Sequence, residues 1–154
     1  MREITVVVDN PSTKAARRLI GELDAYLENL YPPESNYLLS VEALKQPNVT
    51  FITARLNGEV IGCGAFVNHD GEYAEVKRMF VLPGFRGMKI GRRLLEELES
   101  RASLCGIKMI RLETGVYQTE ALRLYTKAGY TSCGPFGDYR PDDPLCVFME
   151  KNLT

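Results

Sequence analysis

The chain has no tryptophan and one histidine, His69, and its four cysteines, Cys63, Cys105, Cys133 and Cys146, stand far apart with no Cys-x-x-Cys pair. That spacing excludes a structural zinc site, and four thiols in 154 residues are too few for a disulfide framework. Reduced thiols packed as small apolar groups are expected, and no metal. Net charge is missing as well: 19 Lys and Arg oppose 20 Asp and Glu. There is thus no overall basic field to hold nucleic acid, and any cationic feature must be local. No apolar run approaches the roughly 20 residues of a membrane span, and the opening MREITVVVDN is unlike a secretory leader. A cytoplasmic protein with neither nucleic acid nor membrane as partner is expected. Repeats and Gly/Ser linkers are absent too, which leaves a single domain over residues 1–154.

What is present is a regular alternation of elements. Ile4 to Val8 is β-branched and reads as a strand, with Ser12 placed to cap the helix that follows. Ala15, Leu19, Ile20, Leu23, Leu27 and Leu30 recur at helical spacing until Pro32 and Pro33 stop the helix. A short helix at Val41 to Leu44 precedes three strands, Val49 to Leu56, Glu59 to Val67 and Glu72 to Val81. Asn57-Gly58 joins the first two, the dipeptide that a two-residue type I′ turn favours, and His69-Asp70-Gly71 joins the next. Beyond Pro83 come a helix to Gly106, a strand at Lys108 to Glu113, a helix at Thr119 to Ala128, and two strands, Tyr130 to Cys133 and Leu145 to Glu150. The order βααβββαβαββ predicts an α/β (α+β) fold, a mixed sheet with helices on its faces.

The loop Gly84-Phe85-Arg86-Gly87-Met88-Lys89-Ile90-Gly91 runs from a strand directly into a helix. The first amides of a helix have no internal partner and carry its positive dipole end, so such a loop is an anion site. Arg86, Lys89, Arg92 and Arg93 add positive charge with no acid among them, which suits phosphate. The glycine intervals fit neither the dinucleotide fingerprint nor the P-loop.

The run from Met79 to Leu95 resembles the acetyl-CoA signature of the GNAT N-acetyltransferase superfamily, Arg/Gln-x-x-Gly-x-Gly/Ala. Arg86 and Gly91 match its ends, and Lys89 stands where the central glycine is usual. Gln118 to Tyr130 resembles the second motif, with Gln118 in place of an asparagine. The ending Gly134 to Tyr139 with Asp143 to Lys151 is similar to a small bacterial subgroup. The resemblance implies a mostly antiparallel sheet of about seven strands, acetyl-CoA as cofactor and an amine acceptor. It places the pantetheine arm along Met79, Phe80 and Val81, and the phosphates on Arg86, Gly87, Met88, Lys89, Ile90, Gly91 and Arg92, with Gln118 nearby. A homodimer is left open.

Transfer from a thioester to an amine needs an oxyanion donor, an acid for the thiolate and a base for the amine. The resemblance implies the N–H of Val81 as donor and Tyr125 as acid. Glu75 is the candidate base, six residues before Val81 on one strand and so on the same face by parity. The substrate side is assigned to Tyr31, Pro33 and Glu34 after the first helix, and to Asp138 and Tyr139 near the end. Arg78 is a candidate for an acceptor carboxylate. Direct attack is expected, because no thiol has a histidine near it in sequence. The other reading is a domain that binds acyl-CoA without turnover, for which Lys89 and Gln118 are the evidence.

Overall fold

The computed structural model describes residues 3–154. Its elements are β1 (Ile4–Val8), α1 (Lys14–Leu30), α2 (Val41–Leu44), β2 (Val49–Leu56), β3 (Glu59–His69), β4 (Tyr73–Val81), α3 (Ile90–Leu104), β5 (Met109–Gly115), α4 (Thr119–Lys127), β6 (Thr131–Ser132) and β7 (Cys146–Asn152), with single 3-10 turns at Pro33–Ser35 and Pro83–Phe85. The predicted order holds. Both hairpin turns take two successive positive φ angles, at Asn57 and Gly58 and at Asp70 and Gly71. One cap differs: Thr13, not Ser12, accepts from the Ala16 amide at 3.1 Å, because the Ser12 hydroxyl and amide both turn back to Asn10 Oδ1.

The seven strands lie in the order β1-β2-β3-β4-β5-β7-β6. Every neighbouring pair is antiparallel except β4 and β5. Val60 to Val67 of β3 are all buried, so both sheet faces are covered there. α3 lies on the face presented by Gly62 and Gly64, where added methyl groups would meet Leu94 and Leu98. α1 and the segment after it cover the other, where Lys77 donates to the Tyr37 carbonyl.

β4 and β5 pair only from Ala74–Ile110 to Val76–Leu112, yet β4 runs on to Val81 and β5 to Gly115. Beyond the last pair the strands part like a fork. A bulge accounts for the divergence: Cys63 pairs Phe80 but Ala65 pairs Lys77, so β4 carries one extra residue, and Arg78 there has φ +59°. A bulge bends its strand, and this one falls just past the last β4–β5 pair. It also overturns the parity argument. Glu75, Lys77 and Phe80 share one face through their partners Val67, Ala65 and Cys63, whereas Val81 pairs Gly62 and points to the other. Six residues with a bulge among them no longer share a side.

Candidate active site

The fork opens into a cavity of about 80 Å³ lined by Val76, Lys77 and Met79 of β4, Glu113, Thr114 and Gly115 of β5, Gln118 and Tyr125 at α4, and Tyr31 with residues 35–39. A larger open groove of about 530 Å³, bordered by Lys45, Phe51 and Leu104, shares no residue with it.

Backbone alternation points one donor into the fork. The Leu82 amide donates to Ile61 O at 2.9 Å, so its neighbour Val81, paired with Gly62, turns its N–H away from β3 and toward the open edge. Past Val81 the chain reaches the start of α3, where Lys89 is the N-cap residue and offers no side-chain cap. The Lys89 side chain therefore leaves the first amides of α3 uncapped. Lys89 holds φ +61°, the left-handed conformation in which glycine is at ease; this explains why glycine is usual at this position of the motif. Gly87 has φ +88° and open space around it, so a ligand can approach its backbone. Arg86 lies beside them, its Nε donating to Val81 O at 3.3 Å and its guanidinium 5.9 Å from the Phe80 ring. A cationic helix start below an extended, unpaired strand edge fits a diphosphate joined to a linear arm.

Ile90 is buried in the core, so only its backbone faces the loop. A methyl on Gly91 would sit 3.2 Å from Leu124 of α4, which gives that glycine a packing reason. Arg92 is drawn to Glu96 at 3.8 Å and to the Lys127 carbonyl at 3.4 Å. Gln118 Oε1 accepts from the Gly115 amide at 3.0 Å, bracing the turn between β5 and α4.

Tyr125 is buried and lines the cavity. Burial, then the nearby charge of Glu113, raise its pKa well above the usual tyrosine value. Glu113 was missed in sequence. Burial pushes its carboxyl up to about 7, against the pull of Lys77. Glu75 is buried with both oxygens engaged, Oε1 at 2.9 Å from His69 Nε2 and Oε2 accepting from the Tyr139 hydroxyl. Lys77 Nζ donates to Tyr139 Oη at 2.7 Å and lies 3.6 Å from Glu75 Oε2. Burial pushes the Cys63 thiol up to about 12, and burial with the charges of Glu113 and Asp143 does the same to Cys146. Neither is poised as a thiolate nucleophile.

Tyr31 lines the cavity, its hydroxyl accepting from the Tyr117 amide at 3.0 Å and its ring stacked on Tyr117. Pro33, Glu34 and Asp138 are exposed and do not line it; the wall is made instead by Ser35 to Leu39, which follow the 3-10 turn. Arg78 lines the cavity but ties β4 to α1, pairing with Asp24 and donating to Leu39 O at 2.9 Å. Its guanidinium is engaged inside the protein, which corrects its assignment to an acceptor carboxylate.

Comparison with known proteins agrees with this architecture. The family model described as Acetyltransferase (GNAT) family matches residues 16–130. An "IAA acetyltransferase" of Azospirillum brasilense is 50% identical over 99% of this chain and 100% of its own length. The uncharacterized N-acetyltransferase YsnE of Bacillus subtilis (strain 168) is 31% identical over 96% and 99%. A crystal structure from Klebsiella pneumoniae, provisionally assigned as an acyl-CoA N-acyltransferase, superposes with a TM-score of 0.85 at 36% identity and covers 98% of both chains. An aminoglycoside 6'-N-acetyltransferase solved with coenzyme A shares the fold at 18% identity, TM-score 0.74, over 97% of each chain. The chain belongs to the GNAT family, an acyltransferase that uses acetyl-CoA.

Proposed function

We propose that the enzyme acetylates a primary amine, of a small molecule or of a peptide lysine or N-terminus, by direct attack while both substrates are bound. Bound acetyl-CoA supplies an activated acetyl thioester. The chain's residues do the rest. The amides of Gly87 to Gly91, with Arg86 and Lys89, hold the phosphates, and Arg92 adds charge at their edge. The unpaired edge of β4 at Met79, Phe80 and Val81 aligns the arm, and the Val81 N–H donates to the carbonyl oxygen as negative charge develops there. Tyr125 Oη holds the proton that a departing thiolate takes. Its raised pKa keeps that proton in place at neutral pH. Tyr31 and Tyr139 border the acceptor side.

The observation that carries this reading is the fork itself: one strand edge stripped of its partner, ending at a cationic helix start. The raised thiols argue against a covalent acetyl-cysteine route. A cytoplasmic location belongs to the same proposal; among the described residues no helix is long and apolar enough to cross a membrane. A homodimer does too, joined through β1, the longer of the two edge strands of the sheet. Calorimetric titration with acetyl-CoA, followed by thiol release over an amine panel that also contains IAA, tests the function. Binding and amine-dependent thiol release are expected; binding with no release to any acceptor would support a non-catalytic acyl-CoA domain.

A further inference from the structure

Glu75 is buried and takes no part in the transfer described above; it does not line the cavity, although Lys77 two residues on does. Its oxygens start a chain of hydrogen bonds that joins four segments. Oε1 lies 2.9 Å from Nε2 of His69, the last residue of β3. Oε2 accepts from the hydroxyl of Tyr139, in the segment between β6 and β7. That hydroxyl accepts in turn from Lys77 Nζ at 2.7 Å, and the same ammonium donates to Tyr37 O at 2.9 Å. The Tyr37 ring packs edge-on against Tyr139, with centroids 4.7 Å apart.

The bulge in β4 gives this chain its reach. Consecutive residues of a regular strand point to opposite faces, yet Lys77 and Arg78 both serve the face covered by α1. Lys77 holds the Tyr37 carbonyl, and Arg78 holds Leu39 O together with Asp24 of α1. Two carbonyls of the cavity wall at residues 35–39 therefore hang on β4 side chains. Arg78 is fixed by its own partner on α1, whereas Lys77 relies on Tyr139 and on Glu75, whose Oε2 lies 3.6 Å from its ammonium. Burial and the charge of Glu75 raise the Tyr139 pKa well above the usual tyrosine value, so its proton stays directed at Glu75 and its lone pair at Lys77. The cavity that this wall closes measures about 80 Å³, far below the roughly 300 Å³ at which pockets for drug-sized ligands begin.

We propose that Glu75, Tyr139 and Lys77 form a strap that draws the 35–39 wall onto β4 and restricts the acceptor to compact amines. Glu75 and Tyr139 are then positioning residues, which act on the acceptor through the wall and exchange no proton with it. This rests on the transferase reading above and narrows its acceptor class to small molecules.

The test is steady-state kinetics over a series of primary amines from ethanolamine to tryptamine, in wild type, Tyr139→Phe, Glu75→Gln and Glu75→Ala, with coenzyme A affinity measured beside it by calorimetry. Wild type should show its highest kcat/KM with the compact members. Tyr139→Phe keeps the ring and its aromatic packing and loses only the hydroxyl. Its KM for compact amines should rise about tenfold, the low end for a hydrogen bond to a charged group, while kcat and coenzyme A affinity stay within about twofold. Its preference for ethanolamine over tryptamine should shrink as the wall loosens. Glu75→Gln retains an acceptor for the Tyr139 hydroxyl, so its KM should fall between those of wild type and Glu75→Ala. Tyr139→Phe with the wild-type KM and size preference overturns the proposal, as does Glu75→Gln that loses kcat at unchanged KM, the mark of a direct part in catalysis. Wild type that favours tryptamine overturns it without any variant. Wild-type enzyme that acetylates no amine overturns the transferase reading instead.

Discussion

Tyr125 carries the sharpest consequence at the scale of single residues. It is a buried residue of the cavity wall, and removing its one hydroxyl oxygen costs little packing. Tyr125→Phe should lower kcat more than about tenfold with nearly unchanged affinity for coenzyme A, the pattern of a contact made only in the transition state. Steady-state kinetics beside calorimetry decides this. Glu113 makes a second, opposite statement. Its carboxyl is raised from 4.5 to about 7 in the folded chain, so the folded state keeps a proton that the unfolded chain has already lost. The stability linked to that proton is whole below pH 4.5 and drains away as pH rises through 7, by at most about 3 kcal/mol. Glu113→Gln should accordingly melt several degrees above wild type at pH 8 and alike at pH 4.5. Neither role was equally visible in the chain. Tyr125 follows a recognisable motif, whereas Glu113 alternates with Ile110, Leu112 and Thr114, shares its face with Arg111, and reads as a solvent-facing strand end. Only the cover of α1 and its following segment turns that face inward.

Between elements, the loop before α3 and the contact of Tyr31, just past α1, with β5 position the cleft. Arg86→Ala should weaken coenzyme A binding by about tenfold, the order expected for a charge-assisted hydrogen bond. Lys89→Gly is a cleaner probe. Glycine accepts the φ of +61° without strain, so the turn keeps its shape while the ammonium is lost. Affinity measured by calorimetry should fall severalfold, and the difference should shrink with added salt. On the other side of the fork, a methyl on Gly115 would lie 1.8 Å from the Tyr31 hydroxyl. That hydroxyl is pinned by the Tyr117 amide, so Gly115→Ala should destabilise by about 1–3 kcal/mol, a usual overpacking cost. Combined with Tyr31→Ala the two costs should add to less than their sum in thermal melts. The strands, helices and turns of this region were legible from periodicity and from Asn57-Gly58 and Asp70-Gly71. The bulge at Arg78 was not, because nothing in a run of alternating residues marks which one drops out of register, and that single residue moved Glu75 to the face opposite Val81.

For the molecule as a whole, the order of elements was readable because each segment carries its own period and stop signal. The insertion of β7 between β5 and β6 depends on long-range pairing that no local pattern encodes. The acceptor side suffers most from this. Asp138 and Asp143 look alike in sequence, yet Asp138 is exposed and Asp143 is buried, accepting from the Leu145 amide at 2.9 Å; the carboxylate that faces the cleft comes from β5 instead. All functional assignments share one premise, that the arm of acetyl-CoA replaces the missing strand contact between β4 and β5 with its phosphates at the start of α3. Titration of ¹⁵N-labelled protein with coenzyme A, read by amide chemical shifts, tests it directly. The largest shifts should fall on Val81 and on Gly87 to Gly91. Shifts clustered at the groove by Lys45 and Leu104, with Val81 and the α3 start unmoved, would contradict it.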